Sequence, residues 1–428
     1  MVIDQKVYFS GISGTGLGPL ALFAKQAGYT VVGSDQSTGA ISSELTAADI
    51  PMHIGDQTGV FLKQQLAEGL NWFVYTSALP ETHPELTMAR TYATTHPDFK
   101  VTKRDDFTAH LISSLNLKLV AVAGTHGKTT TTSMIIYAAT KLRLPVSYVV
   151  GTTLGFAPSG SYHQGDQFFV YEADEYDRNF LKFHPWLSVI PSISYDHPDI
   201  YPTPADYQSA FDQFKSQSQT VITPADLPND LDNSIFTLAG ASRRLDACLA
   251  LIALEKIVAS ASGLKNPPTR EQLIDTLNTF PGVGRRFERL TDNIYTDYAH
   301  HPEEIAATIA TALDEVDRTK KSGLVVIYEP HQNTRQHQIK DQYYDAFLGT
   351  DHVFWLPTYL VRENPALPVL NPIDFIHDLA PHISAEPAEL NDELFRLIQD
   401  YARQNYLVLL MTAGPADTWL RERLSHES

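Results

Sequence analysis

The stretch Leu117–Ser133, LKLVAVAGTHGKTTTTS, limits what this chain can fold into more than any other. An apolar run ends at Gly124. A second glycine follows at 127, then Lys128 and the hydroxyls of Thr129, Thr130, Thr131 and Thr132 open a helix. The order predicts a buried strand, a tight turn and a helix N-terminus. Two glycines let backbone N–H groups close around an anion, and the helix adds the positive end of its dipole. A lysine at 128 suits the outer phosphates of a nucleotide, and the hydroxyl after it suits a Mg²⁺ ion bridging them. The full phosphate-loop pattern needs glycine at 122, where Val122 stands, so only Gly124-x-x-Gly127-Lys128-Thr129 remains. A plain strand-to-helix turn with an exposed lysine would carry the same residues. The stretch alone leaves both readings open.

Upstream, residues 3–9 read as a strand, followed by Gly11-Ile12-Ser13-Gly14-Thr15-Gly16 and the apolar stretch Leu17–Ala27. A second strand over 30–34 ends at Asp35. This is a strand–turn–helix–strand unit with an acid after its second strand, as in dinucleotide-binding folds. Ser13 occupies the place of the second glycine, so any nucleotide diphosphate suits the turn as well as a nicotinamide cofactor. A glycine turn needed only for packing is the alternative. A further strand, Trp72–Tyr75, runs into Thr76-Ser77, where hydroxyls at a strand's carboxyl end would face a ligand.

Composition narrows the class. The chain has 428 residues, too many for one ordinary core, so two or three domains are expected. Its formal charge of −18 argues against a general nucleic-acid or anionic-membrane surface. An anionic ligand must therefore be held by local clusters. A single cysteine, Cys248, in an apolar run rules out an internal disulfide and fits a reducing compartment. No charged leader precedes the first strand, and no apolar run approaches the roughly 20 residues needed to span a bilayer. A cytoplasmic protein is expected, with neither nucleic acid nor membrane as partner.

Downstream of the glycine–lysine loop, Phe168–Tyr171 leads into Glu172-Ala173-Asp174-Glu175-Tyr176-Asp177. Four acids in six residues directly after a buried strand need cations or donors. Beside a phosphate loop they suit Mg²⁺, which prefers one or two carboxylates plus phosphate oxygens; a solvated acidic turn is the plain alternative. A strand over 187–190 leads to Asp196-His197, and this histidine is a candidate ligand in the same unit. Thr203-Pro204 starts a helix with a buried stripe at Tyr207, Ala210, Phe211 and Phe214, and residues 245–254 read as a central buried helix. The segment Phe280-Pro281-Gly282-Val283-Gly284 punctuates the chain. Beyond it, polar residues gather after strands, at Asp297-Tyr298-Ala299-His300-His301-Pro302 and at Glu329-Pro330-His331-Gln332-Asn333-Thr334-Arg335. An open α/β sheet places its site there.

Three motifs, Ala123–Thr130, Glu172–Glu175 and Asp297–Pro302, joined by Gly282–Phe287, together resemble the Mur ligases of peptidoglycan synthesis along essentially the whole chain. The pattern is most similar to members that add L-alanine to UDP-N-acetylmuramate. The resemblance implies an α/β protein of three domains: a Rossmann-like domain holding the UDP substrate over 1–110, a central ATP-binding domain over 111–283, and a C-terminal Rossmann-like domain over 284–428. It implies that a substrate carboxylate attacks the γ-phosphate of ATP, and that an amine then displaces phosphate from the acyl phosphate to form an amide. By position, Gly124, Thr125, His126, Gly127, Lys128, Thr129 and Thr130 would cradle ATP, with Arg285 and Asp297 contacting it. Thr129, Thr130, Glu172 and His197 would serve Mg²⁺. Gly14, Thr15, Gly16, Asp35 and Ser77 would hold the UDP moiety. His300, His331 and Arg335 would lie near the amine and acyl end, and Lys128, His197, His300 and Arg335 would carry the chemistry. A monomer or weak homodimer is expected.

The sequence departs from the family pattern in places. Ser192 stands where the family usually has asparagine before the metal-binding histidine. Ser242, Arg243 and Asp246 replace the family's adenine-contacting residues. Asp174–Asp177 and Glu329-Pro330 with Asn333-Thr334 look more like members that attach a ready-made tripeptide to the same UDP-sugar. Pro330-His331 and Arg335 look more like the alanine-adding ones. A UDP-sugar-binding homologue without catalysis is the third reading.

Overall fold

The computed structural model describes residues 5–76, 78–197, 200–228, 231, 233–361, 363–364 and 366–425. Among these, the strands form three sheets. The first runs β3-β2-β1-β4-β5, with β1 (Lys6–Ser10), β2 (Thr30–Asp35), β3 (Met52–Ile54), β4 (Trp72–Tyr75) and β5 (Lys100–Lys103) all parallel. The second runs β11-β10-β6-β9-β7-β8: β6 (Lys118–Val122), β7 (Val146–Val149), β8 (Gly160–Ser161), β9 (Phe168–Glu172), β10 (Leu187–Val189) and β11 (Val221–Ile222). Only β8 in it is antiparallel to its neighbour. The third runs β12-β13-β17-β14-β15-β16: β12 (Glu288–Arg289), β13 (Ile294–Asp297), β14 (Leu324–Glu329), β15 (His352–Trp355), β16 (Ala385–Pro387) and β17 (Leu407–Thr412). All but β12 are parallel there.

The chain folds into two compact units. The first contains residues 1–236 and 245–280, with the first two sheets; the second contains 237–244 and 281–428. The long helix Ala241–Ser260 passes from one to the other. The α/β class and the parallel sheets agree with the expectation.

In the first unit the helix Gly18–Gln26 explains the architecture. Gly18 to Ala24 are all buried, so the helix is apolar around its whole circumference and needs cover on every side. The first sheet covers one side and the second sheet the other. One continuous core runs from Val7, Phe9 and Val74 to Leu119, Ala121, Phe169 and Tyr171. The expected domain line at 110 falls inside the helix Arg104–Ser114, which leads directly from β5 towards β6. Polar ties reinforce the junction. Glu44 accepts from the Ser159 N–H at 2.7 Å and from its hydroxyl at 2.8 Å, and Gln26 accepts from the Tyr162 N–H at 2.6 Å.

In the second unit the alternation of each strand buries both sheet faces, as parallel strands require. Val326, Tyr328 and Trp355 point into one core. Val325, Ile327 and Phe354 point into the other. Among the described residues no helix is long and apolar enough to cross a membrane.

The tightest point of the shared core is Gly160, where an added Cβ would overlap the Pro19 carbonyl oxygen in the buried helix. Gly160→Ala is expected to cost about 3 kcal/mol as overpacking against backbone. Gly155→Ala, where a Cβ meets nothing within 4 Å, should stay within about 0.5 kcal/mol of the parent. Denaturant unfolding of both variants checks the difference; equal stabilities would refute the shared core.

Candidate active site

The glycine–lysine loop follows β6 and opens the helix Lys128–Lys141. Gly124 has φ 143 and Gly127 has φ 84, conformations that side-chain-bearing residues rarely adopt. A Cβ at 124 would also lie 2.6 Å from the Ser192 carbonyl oxygen. The loop is stitched to the chain after β10. Ser192 Oγ accepts from the His126 N–H at 2.9 Å and donates to the His126 carbonyl at 3.1 Å. Thr125 Oγ1 donates to the Ser194 carbonyl at 2.7 Å. Ser192, the departure from the family pattern, is thus a clip that fixes the loop. Thr125 is spent on the same seam, while the side chain of His126 is exposed.

Lys128 Nζ donates to the Gly124 carbonyl and lies 2.9 Å from Glu175 Oε1. Glu175 is 1% exposed. Burial pushes its carboxyl above the ordinary value, and Lys128 opposes that shift. Thr129 Oγ1 donates to Glu172 Oε1 at 2.8 Å, and Glu172 Oε2 is buried without a partner. Here the structure differs from the expected pairing. His197, in a left-handed conformation with φ 56, turns its Nε2 to Glu175 at 3.9 Å and Asp196 at 3.7 Å. Among the described residues no group of three His, Cys, Asp or Glu side chains gathers to hold a metal. Glu172 with Thr129, and Glu175 with Lys128 and His197, form two neighbouring carboxylate groups instead. Thr130 is half-buried at the start of the helix. The substituted Asp246 packs on the loop: its Oδ1 would lie 2.6 Å from a Cβ at Gly127.

The first turn follows β1. Its backbone is anchored by the Ser34 carbonyl, which accepts from the Gly11 and Ile12 N–H groups at 2.8 and 3.0 Å. Asp35 differs from its expected role: Oδ2 accepts from the Ser13 N–H and Oδ1 from the Gln36 N–H, both at 2.8 Å. It shapes the turn from behind. Gly14 and Thr15 are exposed and Gly16 half-buried. Ser77 lies outside the described residues. A cavity of about 250 Å³ joins this turn to the phosphate loop, lined by Thr15, Gly16, Arg104, Lys128, Glu172 and Asp174 among others. The structure therefore brings the two glycine-rich turns to one space. Arg104 and Glu175 are the residues the sequence reading passed over. Their only signal was position, at the end of β5 and inside the acidic run.

The second unit carries the other candidates. His300 and His331 face each other edge to face, with ring centres 5.6 Å apart. His300 Nδ1 lies 3.3 Å from Glu304. Burial lowers the affinity of both rings for protons, and it brings His331 down to about 4, with His300 and Arg335 adding to the effect. Both imidazoles are neutral near pH 7. His331 Nδ1 is buried without a partner, and the Arg335 guanidinium donates no hydrogen bond among the described residues. Arg285 and Asp297 depart from their expected part in nucleotide contact. Arg285 donates to the Thr412 carbonyl at 2.7 Å. Asp297 is buried and accepts from the N–H groups of Phe287 at 2.6 Å and Ala299 at 2.7 Å. Both are engaged inside the unit, as clamps on the segment before the histidines.

The depressed His331 sets a pH dependence. The unfolded chain takes up a proton on this ring below about 6.5, whereas the folded ring resists until about 4. Stability from this group is complete above 6.5 and is lost as pH falls towards 4. His331→Gln should therefore lose less melting temperature than the parent between pH 7 and pH 5. Parallel losses in the two proteins would contradict the neutral buried ring.

Known proteins share this arrangement. Residues 6–114 match the family model described as Mur ligase family, catalytic domain, and residues 122–237 match the Mur ligase middle domain. A UDP-N-acetylmuramate–L-alanine ligase of Fusobacterium nucleatum is 27% identical, over 99% of this chain and 96% of the relative. The crystal structure of a UDP-N-acetylmuramate–alanine ligase from Thermotoga maritima superposes with a TM-score of 0.77 at 21% identity, over 99% of this chain and 100% of the other. A murein peptide ligase from Psychrobacter arcticus superposes with a TM-score of 0.58, also at 21% identity, over 99% and 98% of the two chains. The sequence motifs, the fold and these matches agree that the chain belongs to the Mur ligase family.

Proposed function

We propose that this protein is an ATP-dependent ligase that joins L-alanine to the carboxylate of UDP-N-acetylmuramate, a step of peptidoglycan synthesis in the cytoplasm. The observation that carries the reading is the cavity shared by the Gly14–Gly16 turn and the Gly124–Lys128 loop. An acid held by one turn and a nucleotide held by the other would meet there. The alanine-adding relatives, aligned over nearly the whole chain, support the same choice.

The residues fit ATP and Mg²⁺. The glycines at 124 and 127 take positive φ and pack against Ser192, Pro191 and Asp246, which holds the loop backbone in a tight turn at the helix N-terminus. The buried unpartnered oxygen of Glu172 beside Thr129 has the chemistry of a hard-cation ligand. Bound ATP supplies the phosphoryl group that activates the acid. Lys128 would leave Glu175 for the phosphates, whose higher charge competes for its ammonium donors. Glu175 would then be free to orient His197. The substrate carboxylate needs no protein nucleophile; it needs charge neutralised and groups held in line. In the second unit, Arg335 offers an unengaged guanidinium to the amino acid's carboxylate. The neutral His300, beside Glu304, can accept a proton from the amino acid's ammonium group, which exposes the nucleophilic amine. We assign UDP-sugar binding to the part of the chain before 111, nucleotide binding to 111–283 and the amine to 284–428.

The tripeptide-adding reading drew on Asp174–Asp177 and Glu329-Pro330, and on Asn333 and Thr334. The last two are occupied in the fold. Asn333 Nδ2 donates to the Pro368 carbonyl at 3.1 Å, and its Oδ1 accepts from the Leu370 N–H at 3.0 Å. Thr334 accepts from the Asn364 N–H at 2.9 Å. They fasten the loop after β15.

With UDP-N-acetylmuramate and ATP, L-alanine should stimulate ADP release and the murein tripeptide should not; no turnover with L-alanine would refute the choice of amine. Lys128→Ala should abolish ADP formation while UDP-N-acetylmuramate still binds in a calorimeter. Loss of both together would show that the two turns do not divide the labour.

A further inference from the structure

The cavity between the two turns contains one cation whose donors are unspent. Arg104 begins the helix after β5, and its side chain is only 19% exposed. Nε donates to Asp105 at 3.2 Å. The nearest other carboxylate, Asp174, is 4.0 Å from Nη2, beyond hydrogen-bond reach. Among the described residues neither terminal nitrogen donates a hydrogen bond. Lys128, the other cation on the cavity wall, is already held by Glu175.

Gly16 points the same way. Its φ lies outside the left-handed region, so the backbone does not demand glycine there. What a side chain would meet there is the guanidinium: a Cβ at 16 would lie 2.7 Å from Arg104 Nη1, so the fork would have to shift. The third glycine of the first turn thus makes room for Arg104 to lie on the turn itself. A half-buried fork whose terminal edge is free, laid against a helix-opening turn, matches planar or tetrahedral oxyanions with paired oxygens. Asp105 meets the guanidinium on its Nε side, and the terminal nitrogens keep their donors for a further anionic partner. A cavity of about 250 Å³ admits one anionic end of a substrate and not a whole nucleotide sugar.

We infer that Arg104 is a substrate-binding residue, gripping through its two terminal nitrogens a paired-oxygen anion of the nucleotide-sugar acid, either its diphosphate or its carboxylate. The inference rests on the reading that the acid substrate is a UDP-sugar. Arg104 sits between the first turn, on the sugar side, and Lys128 with Glu172, on the nucleotide side. It would fix the acid at the point where its carboxylate must meet the γ-phosphate.

Calorimetric titration of the full-length protein with UDP, UDP-N-acetylglucosamine and UDP-N-acetylmuramate tests this, comparing the parent with Arg104→Gln, Arg104→Lys and Gly16→Ala. Binding of the acid should weaken roughly tenfold or more in Arg104→Gln, the loss of two charge-assisted hydrogen bonds. Arg104→Lys should recover only part of it, because a point charge cannot span two oxygens. Gly16→Ala keeps the charge and displaces the fork, so it should weaken the acid as well, and it covers the case in which removing Arg104 harms folding. If the diphosphate is the target, all three ligands weaken together; if the carboxylate, only UDP-N-acetylmuramate does. The KM for ATP should stay within about twofold while that for the acid rises. Unchanged binding of all three ligands in folded Arg104→Gln would overturn the inference. Failure of the parent to bind any of them would instead overturn the UDP-sugar reading.

Discussion

The helix Gly18–Gln26 is buried all round from Gly18 to Ala24, and the rest of the first unit depends on that. A helix buried all round cannot lie on one sheet with its back to water without exposing Leu20, Leu22 or Phe23. It must be sandwiched, and the sandwich joins two sheets that each carry a glycine turn at a carboxyl edge. The turn after β1 and the turn after β6 therefore open onto one cavity. Under the proposed function the site geometry follows from hydrophobic cover: the apolar burial that stabilises the unit would also set the distance between the two glycine turns.

Charge is arranged around that cavity with little slack. Glu175 is buried and neutralised by Lys128, so the lysine that a nucleotide will need is stored on a carboxylate that burial already disfavours as an anion. Such a pair is a weak store. Phosphate oxygens compete for the lysine with higher charge, and the carboxylate loses less when its partner leaves because its proton affinity is raised. Glu172 is held by a hydroxyl alone and keeps one oxygen without a partner. A chain with a net charge of −18 binds its anionic substrates through a few cations in low-dielectric positions, since its overall field works against them. In the second unit the same economy appears in neutral form. Burial strips His300 and His331 of their protons, and Arg335 stands beside them as a cation whose guanidinium donates no hydrogen bond among the described residues.

Much of this was legible from residues in order. The strand–glycine–lysine–hydroxyl stretch around Gly124, the turn at Gly11–Gly16, the cap at Thr203-Pro204 and the strands 72–75 and 324–328 all appear where local pattern put them. They are short-range signals, carried by period, turn chemistry and capping. The roles of single polar residues were less legible. Asp35 and Asp297, expected as ligand contacts, hold backbone N–H groups in the fold, and Asn333 fastens the loop after β15. A polar side chain at the end of a strand can point to a ligand or back to the nearest orphaned N–H, and sequence carries no sign of which. Ser192 shows the reverse case. A residue marked as a departure from pattern proves to be the clip that holds the loop.

By itself the sequence determined the α/β class, the two phosphate-turn motifs and the membership of a ligase family, because each of these is written in contiguous residues whose chemistry is local. Only the tertiary structure decided which side chains face the cavity. It paired Lys128 with Glu175, set His197 against Glu175 and left Arg104 with empty donors beside Gly16. Those pairings join residues 47, 22 and 88 positions apart, and they exist because a buried helix draws two sheets onto one core.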